Sequence, residues 1–440
     1  MKKCLLLLVM MVSFSLTYAQ DTTKKKLVYN PKNPTYEVEA TCGTCMFKME
    51  GKGCHLAIKL NGKNYFVDGT GIDDHGDAHD NEGFCNAIKK AKVQAVNVDG
   101  GEVKVVNGVP TGLLLDNAMN FISKLLPAYP SSQVKKAISE IQEELFQYGI
   151  TGTHEAGIDF KHIKLFKSMI SGGQLKLELY AMLMNSPENR AFAMKNGPYR
   201  FRNLSIRSFK VFADGSLGSR GALLKKPYTD DHHSHGLLLT SVNEMRNVAQ
   251  FCLKHGYQMN THGIGDSANA LILDIYKNAF KRNPDHRFRI EHSQVIDPAD
   301  FVKFSEYAVF PSVQPTHATS DQRWAENRLG KNRLKGAYAY RTLLRQYGML
   351  AIGTDFPVES TNPFFTIHAA VQRKNPSNQP LNGFLAQESL SLDEVIRGMT
   401  IWAAFSSFQE NELGSLDVLY NFIIDHFTFL FNGNFVAINN

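Results

Sequence analysis

Six side chains could do chemistry together: His154, Lys210, His262, His292, His317 and Asp355. Each stands where a short apolar run gives way to polar residues, as in Asn-Thr-His-Gly-Ile-Gly-Asp around His262, Ile-Glu-His-Ser-Gln around His292 and Gly-Thr-Asp-Phe-Pro around Asp355. One histidine at such a place reads equally well as a satisfied structural residue. Two on successive strands, with an aspartate two strands later, put imidazoles and a carboxylate around one mouth. Neutral imidazole suits zinc, iron or nickel, and an adjacent carboxylate can orient or deprotonate an activated water.

The elements that must position these groups follow from periodicity. A helix starting at Ser131 or Ser132 places Val134, Ile138, Ile141 and Leu145 on one face and stops at Gly149. Seven strand candidates follow, at 150–153, 175–182, 206–213, 257–261, 287–291, 308–313 and 349–354, with helical stretches such as 242–254 and 268–281 between them. Repeated β-then-α units imply an α/β fold with a parallel sheet, and seven is one short of a closed (β/α)8 TIM barrel. In that architecture catalytic groups lie at the carboxyl ends of the strands.

The first quarter of the chain has another character. Cys42, Cys45, Cys54 and Cys85 fall within 44 residues, while the other two cysteines are Cys4 and the distant Cys252. In an exported chain such a set reads first as two disulfides. The competing reading is a metal site, because Cys42-Gly-Thr-Cys45 has the spacing with which two thiolates grip one soft cation, and His75 and His79 stand in an acidic loop nearby. Strand patterns at 36–40, 56–60 and 65–67, an Asn61-Gly62 hairpin, a short helix at 83–91 and strands at 93–98 and 103–106 make 20–106 a small α+β unit.

Composition bounds the rest. Lys and Arg number 48 against 42 Asp and Glu in 440 residues, a formal charge of +6, and 43% of residues are hydrophobic. The balance is that of a globular protein with no expected nucleic-acid partner, and it excludes disordered, collagenous and polytopic membrane classes. Residues 1–19 have a basic start, an apolar run from Leu5 to Val12 and Thr17-Tyr18-Ala19 before Gln20, so a signal peptide cleaved after Ala19 is expected. The mature protein is then exported, periplasmic or secreted, with no membrane span.

Residues 107 to about 420 resemble the amidohydrolase superfamily, in its family 3 branch. The resemblance rests on Gly-Val-Pro-Thr-Gly-Leu-Leu-Leu-Asp-Asn-Ala-Met (108–119), Lys-Val-Phe-Ala-Asp-Gly-Ser-Leu-Gly-Ser-Arg (210–220), Thr-His-Gly-Ile-Gly-Asp (261–266), Arg-Ile-Glu-His-Ser-Gln (289–294), Pro-Ser-Val-Gln-Pro-Thr-His-Ala (311–318) and Gly-Thr-Asp-Phe-Pro-Val-Glu (353–359). It implies hydrolysis of a carbon-nitrogen bond in a small amide, formamide or cyclic amide with the help of a divalent metal, zinc first. Lys210, often carbamylated in this superfamily, would be the ligand from the fourth barrel strand, and His262 and His292 those from the fifth and sixth. Asp355 would be the eighth-strand proton carrier, and His154, Arg220 and His317 would line the substrate pocket. The cysteine segment resembles a family of small exported bacterial domains of unknown function, which supplies a location and no activity.

The resemblance departs at both ends. The family opens its barrel with a strand ending in His-x-His, whereas the His-x-His of this chain, His233-Ser-His235, lies in a polar loop. Residues 414–440 resemble a remnant of the family's β-sandwich followed by an aromatic tail. The expected organisation is a signal peptide (1–19), a small domain (20–106), an amidohydrolase-like barrel (107–413) and the tail. The alternative to an enzyme is a non-catalytic remnant whose amino-terminal module binds a transition metal or is stapled by disulfides. Unpaired barrel edges and the tail predict a homo-oligomer.

Overall fold

Val38 and Ala40 point into a core while Glu39 faces solvent, the period-two pattern of a strand with one covered face. In the computed structural model this strand, β1 (Tyr36–Cys42), lies between β2 (Leu56–Leu60) and β4 (Lys89–Val93), and β3 (Lys63–Phe66) completes an antiparallel sheet of order β3-β2-β1-β4. Leu60 is paired with Lys63, as a two-residue hairpin requires. The structure describes residues 36–49, 54–60, 63–66, 72, 79, 83–93, 97–98, 101–106, 109–119, 123, 127, 129–280 and 285–416. The expected signal peptide, His75 and the aromatic tail lie outside the described residues.

One expectation for this region changes. The helix expected at 83–91 is a turn followed by β4, because β4 pairs with β1 and buries Phe84 and Cys85 beneath the turn. The boundary expected at 107 falls inside a hairpin. There β6 (Gly101–Val106) pairs with β7 (Val109–Asp116) in a sheet of order β5-β6-β7, β5 being Asn97–Val98. That hairpin belongs to the first of two compact units, Met1–Pro127 and Ala128–Asn440.

The second unit is a curled parallel sheet forming a half-barrel. Its strands are β8 (Gly152–Ile158), β9 (Glu178–Met184), β11 (Leu204–Phe212), β12 (Gln258–Gly263), β13 (Arg289–His292), β14 (Phe310–Val313) and β15 (Ala351–Ile352), hydrogen-bonded in that order, with β10 (Tyr199–Phe201) antiparallel to β11. All seven expected strands are present; six begin one to three residues later than expected, and β11 begins two residues earlier. Leu179, Tyr180, Ala181, Met182 and Leu183 of β9 are all buried, as in a parallel sheet covered on both faces.

Helices between the strands carry their own signals. Ser241 Oγ accepts from Glu244 N–H at the start of helix Val242–His255, and Gly256, at φ 74°, ends it in the left-handed region. Among the described residues β8 and β15 each pair on one side only, and no helix is long and apolar enough to cross a membrane.

Candidate metal centre

The carboxyl ends of β11 to β15 bring one set of polar groups together. Register places Phe212 opposite His262 and Gly263 opposite His292, so the two imidazoles are staggered by one residue across neighbouring strands. His292 and Ser293 have φ of 76° and 42°, a left-handed backbone that ends β13 abruptly. The rings of His262 and His292 meet edge to face with centroids 4.5 Å apart.

His317 enters from the helix Pro315–Asp321, which begins directly after β14 and has its proline in the first turn. Its ring stacks 5.8 Å from that of His292, and its Nε2 lies 3.7 Å from Asp355 Oδ2. Ligand atoms of His292, His317 and Asp355 all lie within 4.8 Å of one another.

Hydrogen bonding sets the state of these groups. His292 Nδ1 lies 2.8 Å from Gln314 Oε1, which only accepts, so Nδ1 carries the proton and Nε2 keeps its lone pair. His262 Nε2 and His317 Nε2 are buried and have no hydrogen-bond partner among the described residues. Leaving such a nitrogen dry costs roughly 1–3 kcal/mol, which a cation in contact with it would offset. Burial, with the Lys210 ammonium adding to it, pulls His262 down to about 3 and His292 well below the ordinary imidazole range; burial brings His317 to about 4. All three are neutral at pH 7, the ligating form.

Lys210 is buried on β11 with its ammonium 5.0 Å from the Phe212 ring, and burial lowers its pKa against the pull of Glu291 and Asp355. Asp355 is itself pushed up to about 6 by burial, against the opposing charge of Lys210. Gly157 of β8, at φ 136°, makes room here: a Cβ would lie 2.8 Å from Met184 Sδ and 3.9 Å from Lys210 Cγ.

Other candidates sit elsewhere. His154 was expected at a strand end, but β8 runs on to Ile158, so His154 is near its start. There its Nδ1 lies 3.0 Å from Arg289, which also pairs with Glu291 at 2.7 Å, and its ring is 5.1 Å from that of Tyr180. Arg220 bonds Asp230 through two nitrogens at 3.1 and 3.0 Å, and Arg328 grips the same carboxylate, so its guanidinium braces a loop. His235 Nδ1 is 3.2 Å from Leu224 O in that loop, consistent with a loop role for the His-x-His. In the first unit the sulfurs of Cys42, Cys45, Cys54 and Cys85 are unbonded and mutually within 4.8 Å, and His79 Nε2 is 3.5 Å from Cys54 Sγ.

Sequence reasoning missed Gln314 and Asp214. Asp214 is fully buried, accepts from the N–H groups of Leu223, Ile264 and Gly265 at 2.8, 3.0 and 2.8 Å, and approaches His262 Nε2 at 3.6 Å. It stands in the stretch 210–220 that carries the resemblance, two residues after β11, but its role as an acceptor was not assigned there. Beside His317 a cleft of about 330 Å³ opens, lined by Thr316, Ser320, Arg323, Glu359 and Phe365 among others.

Comparison with known proteins bears on both units. A family described as "Amidohydrolase family" matches residues 93–420, and "Family of unknown function (DUF6370)" matches residues 36–107. The chain is 29% identical over 345 residues to "Putative amidohydrolase YtcJ" of Bacillus subtilis, covering 75% of this chain and 64% of that protein. It is 29% identical over 348 residues to "Protein LONG AFTER FAR-RED 3" of Arabidopsis thaliana, with 75% and 59% covered. Identity to an N-substituted formamide deformylase of Arthrobacter pascens is 23% over 341 residues, with 72% and 60% covered. A solved structure of an uncharacterized metal-dependent hydrolase from Pyrococcus furiosus superimposes with a TM-score of 0.60 at 30% identity, covering 70% of this chain and 63% of that one. The chain thus spans 59–64% of the length of these relatives.

Proposed function

The chain belongs to the amidohydrolase family, and from that premise we propose that it is a metal-dependent hydrolase of carbon-nitrogen bonds in small amides, formamides or cyclic amides. The observation that carries the reading is the convergence of His292, His317 and Asp355, with buried imidazole nitrogens on His262 and His317 that have no hydrogen-bond partner among the described residues. Neutral imidazoles and one carboxylate fit a divalent cation of the zinc type. Such an ion supplies Lewis acidity to the substrate carbonyl and brings the pKa of a water from about 15.7 toward ~7.

The chain's own residues do the rest. His262, His292 and His317 offer nitrogen, with His292 held in its ligating tautomer by Gln314. Lys210, its amine biased toward the neutral form by burial, is the group that carbon dioxide would convert to a carbamate, releasing one proton. Asp355 accepts the proton of the attacking water as the oxygen-carbon bond forms, then gives it to the leaving nitrogen as the carbon-nitrogen bond breaks. The cleft at Ser320, Arg323 and Glu359 has the polarity to orient an amide. The deformylase among the relatives supports a formamide within the substrate class.

A second reading is a metal-binding chain without turnover. It is favoured by the one-sided pairing of β8 among the described residues, where the resemblance places a strand ending in His-x-His. The experiment that separates the two is metal content of the purified full chain together with hydrolysis of a panel of N-substituted formamides and amides, with and without chelator. Chelator-sensitive release of amine supports the enzyme. Bound metal without turnover supports the second reading, and no metal refutes both.

A further inference from the structure

We infer that Cys42, Cys45, Cys54 and Cys85 bind one zinc ion as a tetrathiolate, a site separate from the barrel chemistry and independent of it. A tetrahedral Zn–S4 centre has Zn–S of about 2.3 Å, which puts its sulfurs ~3.8 Å apart. The Cys54 and Cys85 sulfurs are 3.5 Å apart, and no pair among the four exceeds 4.8 Å. Two disulfides would instead divide the sulfurs into bonded pairs about 2.05 Å apart.

The backbone explains why four sulfurs from three segments share a centre. Cys42 N–H donates to Phe84 O at 2.7 Å and Gly43 N–H to His55 O at 2.9 Å, so the residues beside Cys85 and Cys54 are tied to the end of β1. Thr41 Oγ1 lies 2.7 Å from Phe84 O and 2.8 Å from Ala87 O and shares its one hydrogen between them at the same junction. Met46 N–H donates to Cys42 O at 3.0 Å, closing a turn that carries Cys45 back over Cys42. In that turn Cys45 N–H points at Cys42 Sγ from 3.5 Å, and Thr44 Oγ1 is 3.3 Å away. Donors aimed at a sulfur favour its anionic form.

Stability gives the site a purpose. Cys42 and Cys85 are two of the eight side chains in the described core cluster around β1 and β2, so an ion held by them would tie that cluster to the turns that carry Cys45 and Cys54. Binding is written Zn²⁺ + 4 RSH → Zn(SR)₄²⁻ + 4 H⁺, with no oxidant required. His79, 3.5 Å from Cys54 Sγ, is placed to hydrogen-bond one thiolate.

The test is titration of the full chain, purified under reducing conditions without metal, with cobalt(II). The barrel candidates include no cysteine, so thiolate-to-cobalt charge-transfer absorption reports this site alone. The expected result is charge transfer that saturates at one equivalent, with the d–d bands of a tetrahedral thiolate complex. It should persist in Cys252→Ser and weaken in Cys45→Ser by at least ~10–100-fold in cobalt affinity. If Cys45→Ser does not fold, mercurial titration of the zinc-loaded wild type replaces it, with one zinc released per four thiols modified. Absence of the charge-transfer band, no zinc release, or mass spectra showing two disulfides among these residues in the protein as isolated would each overturn the inference.

Discussion

Asp214→Asn should destabilise the barrel unit by about 3–5 kcal/mol. The carboxylate is fully buried and accepts three backbone N–H groups, Leu223 and Gly265 on Oδ2 and Ile264 on Oδ1. Asparagine can keep its carbonyl oxygen where Oδ2 was and retain two of these bonds as neutral ones. Its amide nitrogen must then face the Ile264 N–H, donor against donor. Charge-assisted bonds are worth roughly 1.5–3 kcal/mol and neutral ones ~0.5–1.5, so the two retained bonds lose about 1 kcal/mol each. An orphaned buried N–H adds roughly 1–3 kcal/mol. At ~2.1 cal/mol/K per residue, an unfolding entropy of about 0.65 kcal/mol/K for a unit of this size converts the loss into a melting-temperature drop of roughly 5–8 °C. The assay is circular dichroism or calorimetric melting of wild type and variant in the same buffer. Melting within 1 °C of wild type would refute the claim that this carboxylate holds the loops around His262.

His317→Ala should lower the affinity of the barrel for divalent metal by at least ~10–100-fold, read by isothermal titration of the metal-free chain; an unchanged affinity removes His317 from the ligand set. Asp355→Asn should cut amide hydrolysis by about 10²–10⁴-fold with metal content close to wild type, because the amide retains an oxygen while losing the proton acceptor. Loss of the metal along with the rate would make Asp355 a ligand first. Asp321 gives a pH signature. Burial, against the hydrogen bond from Tyr338 Oη at 2.8 Å, raises its carboxyl from 3.8 to about 7 in the folded chain. The folded state therefore binds the extra proton between these values, and this contribution to stability is full below about pH 4 and lost as pH rises through 7. Asp321→Asn should flatten the melting temperature between pH 5 and pH 8, and an unchanged slope would show that another group sets it. Gly265→Ala would bring a Cβ to 2.0 Å from Leu223 O and should leave the barrel poorly soluble or unfolded, since backbone on both sides must shift; near-normal melting would mean that the loop has another conformation.

The half-barrel was legible because strands buried on both faces are written as apolar runs, and that of β9 continues from Leu179 to Met184 without a charged residue. The starts of the strands were less legible. The run at 150–153 follows a helix ended by Gly149 at φ 75°, and ladder pairing with β9 begins only at Gly152 and continues to Ile158. That shift is what moves His154 from the mouth into the barrel, beside Arg289. Asp214 was illegible for a different reason, since its three donors come from segments nine to 51 residues away, and no spacing in the sequence encodes their approach.

The same distinction separates the two candidate metal sites. In the barrel the chemistry was readable because parallel strands deliver their last residues to one mouth, so spacing along the chain and position in space correspond. Even there His317 was read as pocket lining. The turn from β14 through Gln314 into the helix at Pro315 brings its imidazole within ligand distance of His292 and Asp355, a consequence of local turn geometry and not of strand order. Among the cysteines no such rule operates. Spacing left disulfides and metal both open, and the choice turns on hydrogen bonds between residues more than 40 positions apart, Cys42 to Phe84 and Thr41 to Ala87, which gather the sulfurs at one centre. A constellation on successive strands can be proposed from sequence, whereas one assembled by loop-to-strand hydrogen bonds has to be seen in three dimensions.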